Sequence, residues 1–365
     1  MNSSFSPSRF LRNAAAGIAA LTMAFAASPA SAQEKVTFAW PVAVNSGLAP
    51  FIFAQELGFF KEENVEFDVV VLQGSGIIIP QLMNGTIFTA FSVLEPLIIS
   101  RQPGKPNFDF RFVYNIVRSS IWEMAVLDES KIKSFADLKG KSIGVGALTW
   151  GNVPVTKAAL QAAGVDPSTV QFIAVGAGVP AYDALRRGQI DALNLYDTMH
   201  IAMESQGTKI RRLEYPQAFR GLASHGFPVT NKNIKEKPQL IERFGRAVTK
   251  GVVACEANIQ ACVEAFWKVY PNQRPSGDAA ANLAKEVKIV GARVKNMTAF
   301  RPGEPKKLGG FGELDWKSSI VALRAGGQLD NTDVKLDTLY TNQFVDAYNK
   351  FNREDVIKKA KAYKP

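Results

Sequence analysis

The stretch SIGVGALTWGNVPVTKAALQAAGVDPSTVQFIAV, residues 142–175, decides the class of fold. A strand, Ser142–Gly146, leads through a loop into a helix, Val153–Ala163, and then into a second strand, Val170–Val175. That order is the repeating unit of α/β architectures with parallel strands. Downstream, Ala181–Arg187 reads as a helix and Ala192–Leu195 as a strand. Upstream, the same alternation gives strands over Val36–Trp40, Val65–Leu72 and Phe88–Val93, with helices over Ala49–Phe60 and Ile77–Met83. From Pro238 onward the chain reads as mostly helical.

The two alternating regions are alike. Pro80-Gln81-Leu82-Met83-Asn84-Gly85 leads into a short strand ending near Leu94-Glu95-Pro96, and Ala184-Leu185-Arg186-Arg187-Gly188 into one ending at Tyr196-Asp197-Thr198. In each, a helix stops at a glycine, where a left-handed cap costs little, and an acidic residue follows nine or ten positions later. Two extended apolar stretches, Phe110–Leu127 and Leu222–Thr230, bracket the second region. The simplest topology has the chain leave a first lobe through one and return through the other. Lobe 2 then covers residues 121–223, and lobe 1 covers 33–120 plus 224–365.

The N-terminus reads as a secretory signal peptide. Arg9 and Arg12 precede an uncharged run from Ala14 to Ala27. The run ends in Ser28-Pro29-Ala30-Ser31-Ala32, an A-x-A-like site with cleavage near Ala32. About 14 apolar residues fall short of the roughly 20 that span a bilayer. The expected location is the periplasm. Removing residues 1–32 takes away only two charges, so the net charge falls from +10 to +8. Lys and Arg are scattered along the chain, which argues against a nucleic-acid partner.

Cys255 and Cys262 are the two cysteines. On one unbroken helix their Cα atoms would stand about 10 Å apart, too far for a disulfide. Asn258 between them is a plausible N-cap for a second helix, and a break there would bring the sulfurs together. A disulfide and a pair of buried thiols both remain open, and no metal site is expected.

Further motifs resemble a known family. Leu48-Ala49-Pro50 with Gly58-Phe59-Phe60, the Gly74-Ser75-Gly76 loop, Phe135–Val145 and Gly188-Gln189-Ile190-Asp191-Ala192 follow one another at spacings similar to those of the nitrate/sulfonate/taurine and thiamine-precursor (SsuA/THI5-like) periplasmic binding proteins. Phe88 and Ile259 depart from that pattern. The resemblance implies an α/β, two-lobed periplasmic-binding-protein fold of type II. Each lobe would be a mixed sheet flanked by helices, joined by a two-crossover hinge. It also implies a small-molecule ligand held between the lobes and ABC permease transmembrane subunits as partners. The chain is read as a monomer without a cofactor.

Ligands of open α/β sheets sit beyond the carboxyl ends of the strands, where helix N-termini offer free N–H groups. Four loops take that position. The first runs from Trp40 to Leu48 and holds Asn45, Ser46 and Gly47. The second is Gly74-Ser75-Gly76, the third Thr149-Trp150-Gly151-Asn152, and the fourth contains Gly178. Ordinary capping or turn formation explains most of these residues equally well. Trp150 stands out, because an aromatic ring in such a loop suits a stacking platform better than a core. Glu95, Tyr196 and Asp197 occupy matching points of the two lobes. The four loops carry no Lys or Arg, so Arg118 at the first crossover is the candidate cation. Neither His200 nor His225 falls in these loops, and no nucleophile elbow or phosphate-cradling loop is present. The reading is a binding protein and not an enzyme. Its ligand would be a pyrimidine- or thiamine-precursor-like compound, or a sulfonate. A ligand-presenting sensor and a pyrimidine-forming enzyme are the alternatives.

Overall fold

The computed structural model describes residue 1 and residues 32–364. The signal-peptide reading falls on residues that lie outside these. In chain order the strands are β1 (Glu34–Trp40), β2 (Val65–Val71), β3 (Thr89–Ala90), β4 (Ser92–Val93), β5 (Phe110–Val117), β6 (Trp122–Leu127), β7 (Ser142–Val145), β8 (Gln171–Ala174), β9 (Ala192–Tyr196), β10 (Ile210–Leu213) and β11 (His225–Thr230). They form three sheets. One is parallel, in the order β2-β1-β3, and one is antiparallel, in the order β4-β11-β5. The third is mixed, β10-β6-β9-β7-β8, with parallel β7, β8 and β9 and antiparallel β6 and β10.

The chain enters the five-stranded sheet through residues 118–121 and leaves it through 214–224. These are the two crossovers of a type II periplasmic-binding-protein fold. The two three-stranded sheets adjoin one another, because the Thr89 hydroxyl on β3 donates to the Pro228 carbonyl on β11 at 2.8 Å. Thr89–Ala90 pairs with β1 and Ser92–Val93 with β11. The expected single strand Phe88–Val93 is therefore two short ones in different sheets. Phe91 marks the change, its N–H still bonded to the Ala39 carbonyl.

The stretch read as one extended run, Phe110–Leu127, is also two strands. Partners from far along the chain divide it. The Arg118 N–H bonds the Asn296 carbonyl at 3.0 Å, and the Arg118 side chain is drawn to Glu304 at 2.6 Å. The helix expected over Ala49–Phe60 splits into Ala49–Glu56 and Phe59–Glu62, because Gly58 takes a left-handed φ of 76° that only glycine adopts cheaply.

Stacked aromatic rings hold the first lobe's interior. Phe60 and Phe67 lie 4.4 Å apart, and Phe38 contacts Phe51, Phe67, Phe227 and Phe244 within 6.1 Å. Phe244 comes from the long helix Pro238–Ala257, whose apolar face packs on the sheet and on Ala49–Glu56. Asn258 ends that helix and caps Ile259–Val269 by accepting from the Ala261 N–H. The bend brings the Cα atoms of Cys255 and Cys262 to 5.2 Å, and the two form a disulfide. Of the two open readings, the structure takes the disulfide.

Candidate functional site

A cleft opens between the carboxyl ends of the parallel strands of the two halves. It encloses about 500 Å³, part of it open to solvent, and is closely lined by aromatic rings. It is a narrow slot.

Aromatic rings form its walls. Trp40 ends β1 and sits 4.8 Å from Phe91, which stacks on His225 at 4.4 Å. On the opposite side Trp150 lies near parallel to Tyr196 at 6.1 Å, and Trp122 contacts Trp150, Tyr196 and His225 within 6.2 Å. Asn45, Gly47, Gly74, Ser75 and Arg293 complete the lining.

The polar groups of these walls are mostly of one kind. Among the described residues, the indole nitrogens of Trp40, Trp122 and Trp150, the Tyr196 hydroxyl and the Arg293 Nε are buried without a partner. Indole and guanidinium N–H groups only donate. Burial pushes the Tyr196 phenol well up, so its O–H stays protonated. Burial also lowers His225 well below the usual imidazole range, with the charge of Arg293 adding to the effect. The ring is therefore neutral, and its Nδ1 is engaged by the Ser224 hydroxyl at 2.7 Å. Leaving a buried donor unmade costs about 1–3 kcal/mol each. A ligand that brings acceptors recovers that energy.

Arg293 comes from the helix Ala279–Met297 and is 3% exposed. Its Nη2 donates to the Asp197 carboxylate at 2.9 Å, while its Nε is buried with no partner among the described residues. Asp197 also accepts from Asn296 Nδ2 at 2.6 Å and from the Thr198 N–H at 2.7 Å. One helix of the C-terminal region is thus tied to the start of the helix Asp197–Ser205 beside the five-stranded sheet.

Of the sequence candidates, Trp40, Asn45, Gly47, Gly74, Ser75, Trp150 and Tyr196 line the slot. Gly74 is required there. Its φ is +79°, and a Cβ would stand 2.9 Å from the Thr149 carbonyl of the facing loop. The remaining candidates are placed elsewhere. Ser46 turns to Glu286. Arg118 is committed to Glu304 and to the Gly310 carbonyl, so Arg293 and not Arg118 is the cation at the slot. Thr149 donates to the Gln73 carbonyl on the outer side of the loop. Asn152 bonds Asn194 at 2.6 Å inside the core. Gly178 caps the helix Val179–Arg186 away from the slot. Glu95 is buried outside the slot lining, and Asp197 is used by Arg293 and Asn296.

Sequence reading missed Phe91, Ile121, Trp122, His225 and Arg293; His225 lies outside the four loops, as expected, yet reaches the slot. Ile121 and Trp122 stand at the first crossover and His225 at the second. An aromatic residue at a crossover was the available signal. Arg293 offered none, because its helix lies far beyond the alternating region. Among the described residues, no group of three or more His, Cys, Asp or Glu is placed to hold a metal ion.

The riboflavin-binding protein RibY of Chloroflexus aurantiacus is 24% identical over 339 residues, 90% of each chain. The alkanesulfonate-binding protein SsuA of Xanthomonas axonopodis pv. citri, solved with MOPS, superposes with a TM-score of 0.60 at 14% identity, covering 84% of this chain and 98% of that one. A desulfurization enzyme, DszB, shares the fold at a TM-score of 0.55 and 18% identity, over 87% and 99% of the two chains. Residues 45–260 match the model of the family described as NMT1/THI5 like. That match covers more than half of the sequence, and the chain belongs to the NMT1/THI5-like family.

Proposed function

We propose that this protein captures a flat heteroaromatic solute rich in hydrogen-bond acceptors, holding it between two lobes in the periplasm for delivery to the permease of an ABC importer. The observation that carries the reading is the slot itself. Its walls are aromatic, it is narrow, and its unpartnered polar groups are indole, guanidinium and phenol donors. Aromatic faces favour a planar ring, and donors at its edge favour carbonyl or ring-nitrogen acceptors. Pyrimidines, thiamine precursors and flavins share that chemistry, and the name of the RibY relative agrees with it.

The lobes of this reading are residues 33–120 with 224–365, and residues 121–223, hinged at the two crossovers. The protein acts as a monomer without a cofactor. A sulfonate is the second reading, favoured by Arg293 and by the SsuA fold. Against it, Arg293 is already paired with the Asp197 carboxylate, which offsets the charge it would offer an anion. An enzymatic role draws on the DszB fold. Both cysteines of this chain are locked in a buried disulfide in the C-terminal helices, and the slot groups are suited to holding rather than to nucleophilic attack.

Tryptophan fluorescence of the purified protein tests the proposal, with riboflavin, lumichrome, 4-amino-5-hydroxymethyl-2-methylpyrimidine and ethanesulfonate as titrants. Saturable quenching by a flat heterocycle is expected, and Tyr196→Phe should weaken it about tenfold by removing one donor. Binding of ethanesulfonate alone would transfer the assignment to the second reading. Silence from every heterocycle would refute the first.

A further inference from the structure

Beside the slot lies a second, wider hollow. It encloses about 1240 Å³, part of it open to solvent. Ser75, Trp150 and Gly151 line both spaces. The hollow therefore starts at the rim where the slot stops. Its walls come from the helix Ser75–Met83 on one side and from the start of the helix Asn152–Ala162 on the other. Those are the same two elements whose loops meet across the slot.

Its surface is apolar to a degree the fold does not require. Ile79, Met83, Phe108, Leu148 and Pro154 face it, with Leu148 58% exposed and Met83 37% exposed. Two of its polar side chains have partners nearby. Thr149 donates to the Gln73 carbonyl, and the Lys157 ammonium sits 5.5 Å above the Phe172 ring. Contiguous exposed apolar surface marks a place where something binds. The continuity with the slot says what that is.

We propose that the hollow receives the alkyl or aryl substituent of a two-part ligand whose flat head lies in the slot. This rests on the heteroaromatic reading given above and adds to it the ligand's second half. The slot is too narrow for a bulky side group, and the shared Ser75–Trp150–Gly151 rim is where such a group would leave it.

The test compares lumiflavin with its N10-hexyl and N3-hexyl counterparts by fluorescence titration of the full protein. At least one hexyl isomer should bind ten times more tightly than lumiflavin or better. Leu148→Asp and, separately, Met83→Gln should abolish most of that gain while leaving lumiflavin affinity unchanged. Both positions are surface side chains, so folding is not at stake. Lumiflavin binding with no gain from either isomer overturns the inference and leaves the heteroaromatic reading standing. A gain that survives both substitutions also overturns it. Failure of lumiflavin and both isomers to bind overturns the inference, whereas the heteroaromatic reading falls only if the pyrimidine titrant is silent as well.

Discussion

Replacing Glu95 by Gln should flatten the dependence of stability on pH. Glu95 opens the helix Glu95–Ser100, is 4% exposed, and has one carboxyl oxygen without a partner. Burial, only partly opposed by the backbone N–H groups of Leu94 and Glu95, pushes its pKa from 4.5 up to about 8. The folded protein therefore holds this proton more tightly than the unfolded chain does. Stability is greatest below pH 4.5 and is lost as pH rises through 8. A tenfold difference in proton affinity between the folded and unfolded chains is worth about 1.4 kcal/mol. Between pH 5 and pH 8 the loss from this one residue is on the order of 3–4 kcal/mol. Urea unfolding at several values across that range measures it for the protein and for Glu95→Gln. Other titrating groups contribute equally to both, so the difference between the two curves isolates Glu95. The variant should gain relative to the parent by roughly 3–4 kcal/mol over that interval. Parallel curves would mean that Glu95 is ionised and accommodated when folded, and the burial argument would fall.

The disulfide closes a short ring, Cys255 to Cys262 with a separation of 7 residues. On chain entropy alone it contributes about 2.5 kcal/mol, so the double substitution Cys255→Ser/Cys262→Ser should lower the urea midpoint accordingly, and an unchanged midpoint would show that the Asn258 bend holds the two helices unaided. Asp197→Ala leaves Arg293 buried and unpaired, which costs about 3–5 kcal/mol. The double variant Asp197→Ala/Arg293→Met should recover much of that loss, and simple additivity of the two single effects would contradict a coupled pair.

The parts of this molecule that can be read along the chain are those whose causes are local. Strands and helices of the alternating units follow from runs of Val, Ile and Phe and from glycine stops, and they fall within a few residues of where the sequence puts them. Trp40, Gly47, Gly74 and Trp150 stand at strand ends, so the architecture alone carries them to the slot. What escaped reading was set by partners distant in sequence. The boundary near residue 121 was legible, but not that Phe110–Leu127 divides into two strands there, where Arg118 is held by Asn296 and Glu304 from far along the chain. Glu95 and Asp197 look equivalent as acidic residues following matched helix–glycine units, yet their fates differ. A C-terminal helix reaches Asp197 and supplies Arg293 and Asn296, whereas Glu95 stays buried with an unpaired oxygen. The internal likeness of the two regions therefore extends to their backbones and not to their chemistry. The cation beside the slot belongs to a helix added after both regions were complete, and its placement makes the site asymmetric. Discrimination between ligands should accordingly lie in the C-terminal helices as much as in the paired loops, because, among the described residues, the charged side chain lining the slot comes from there.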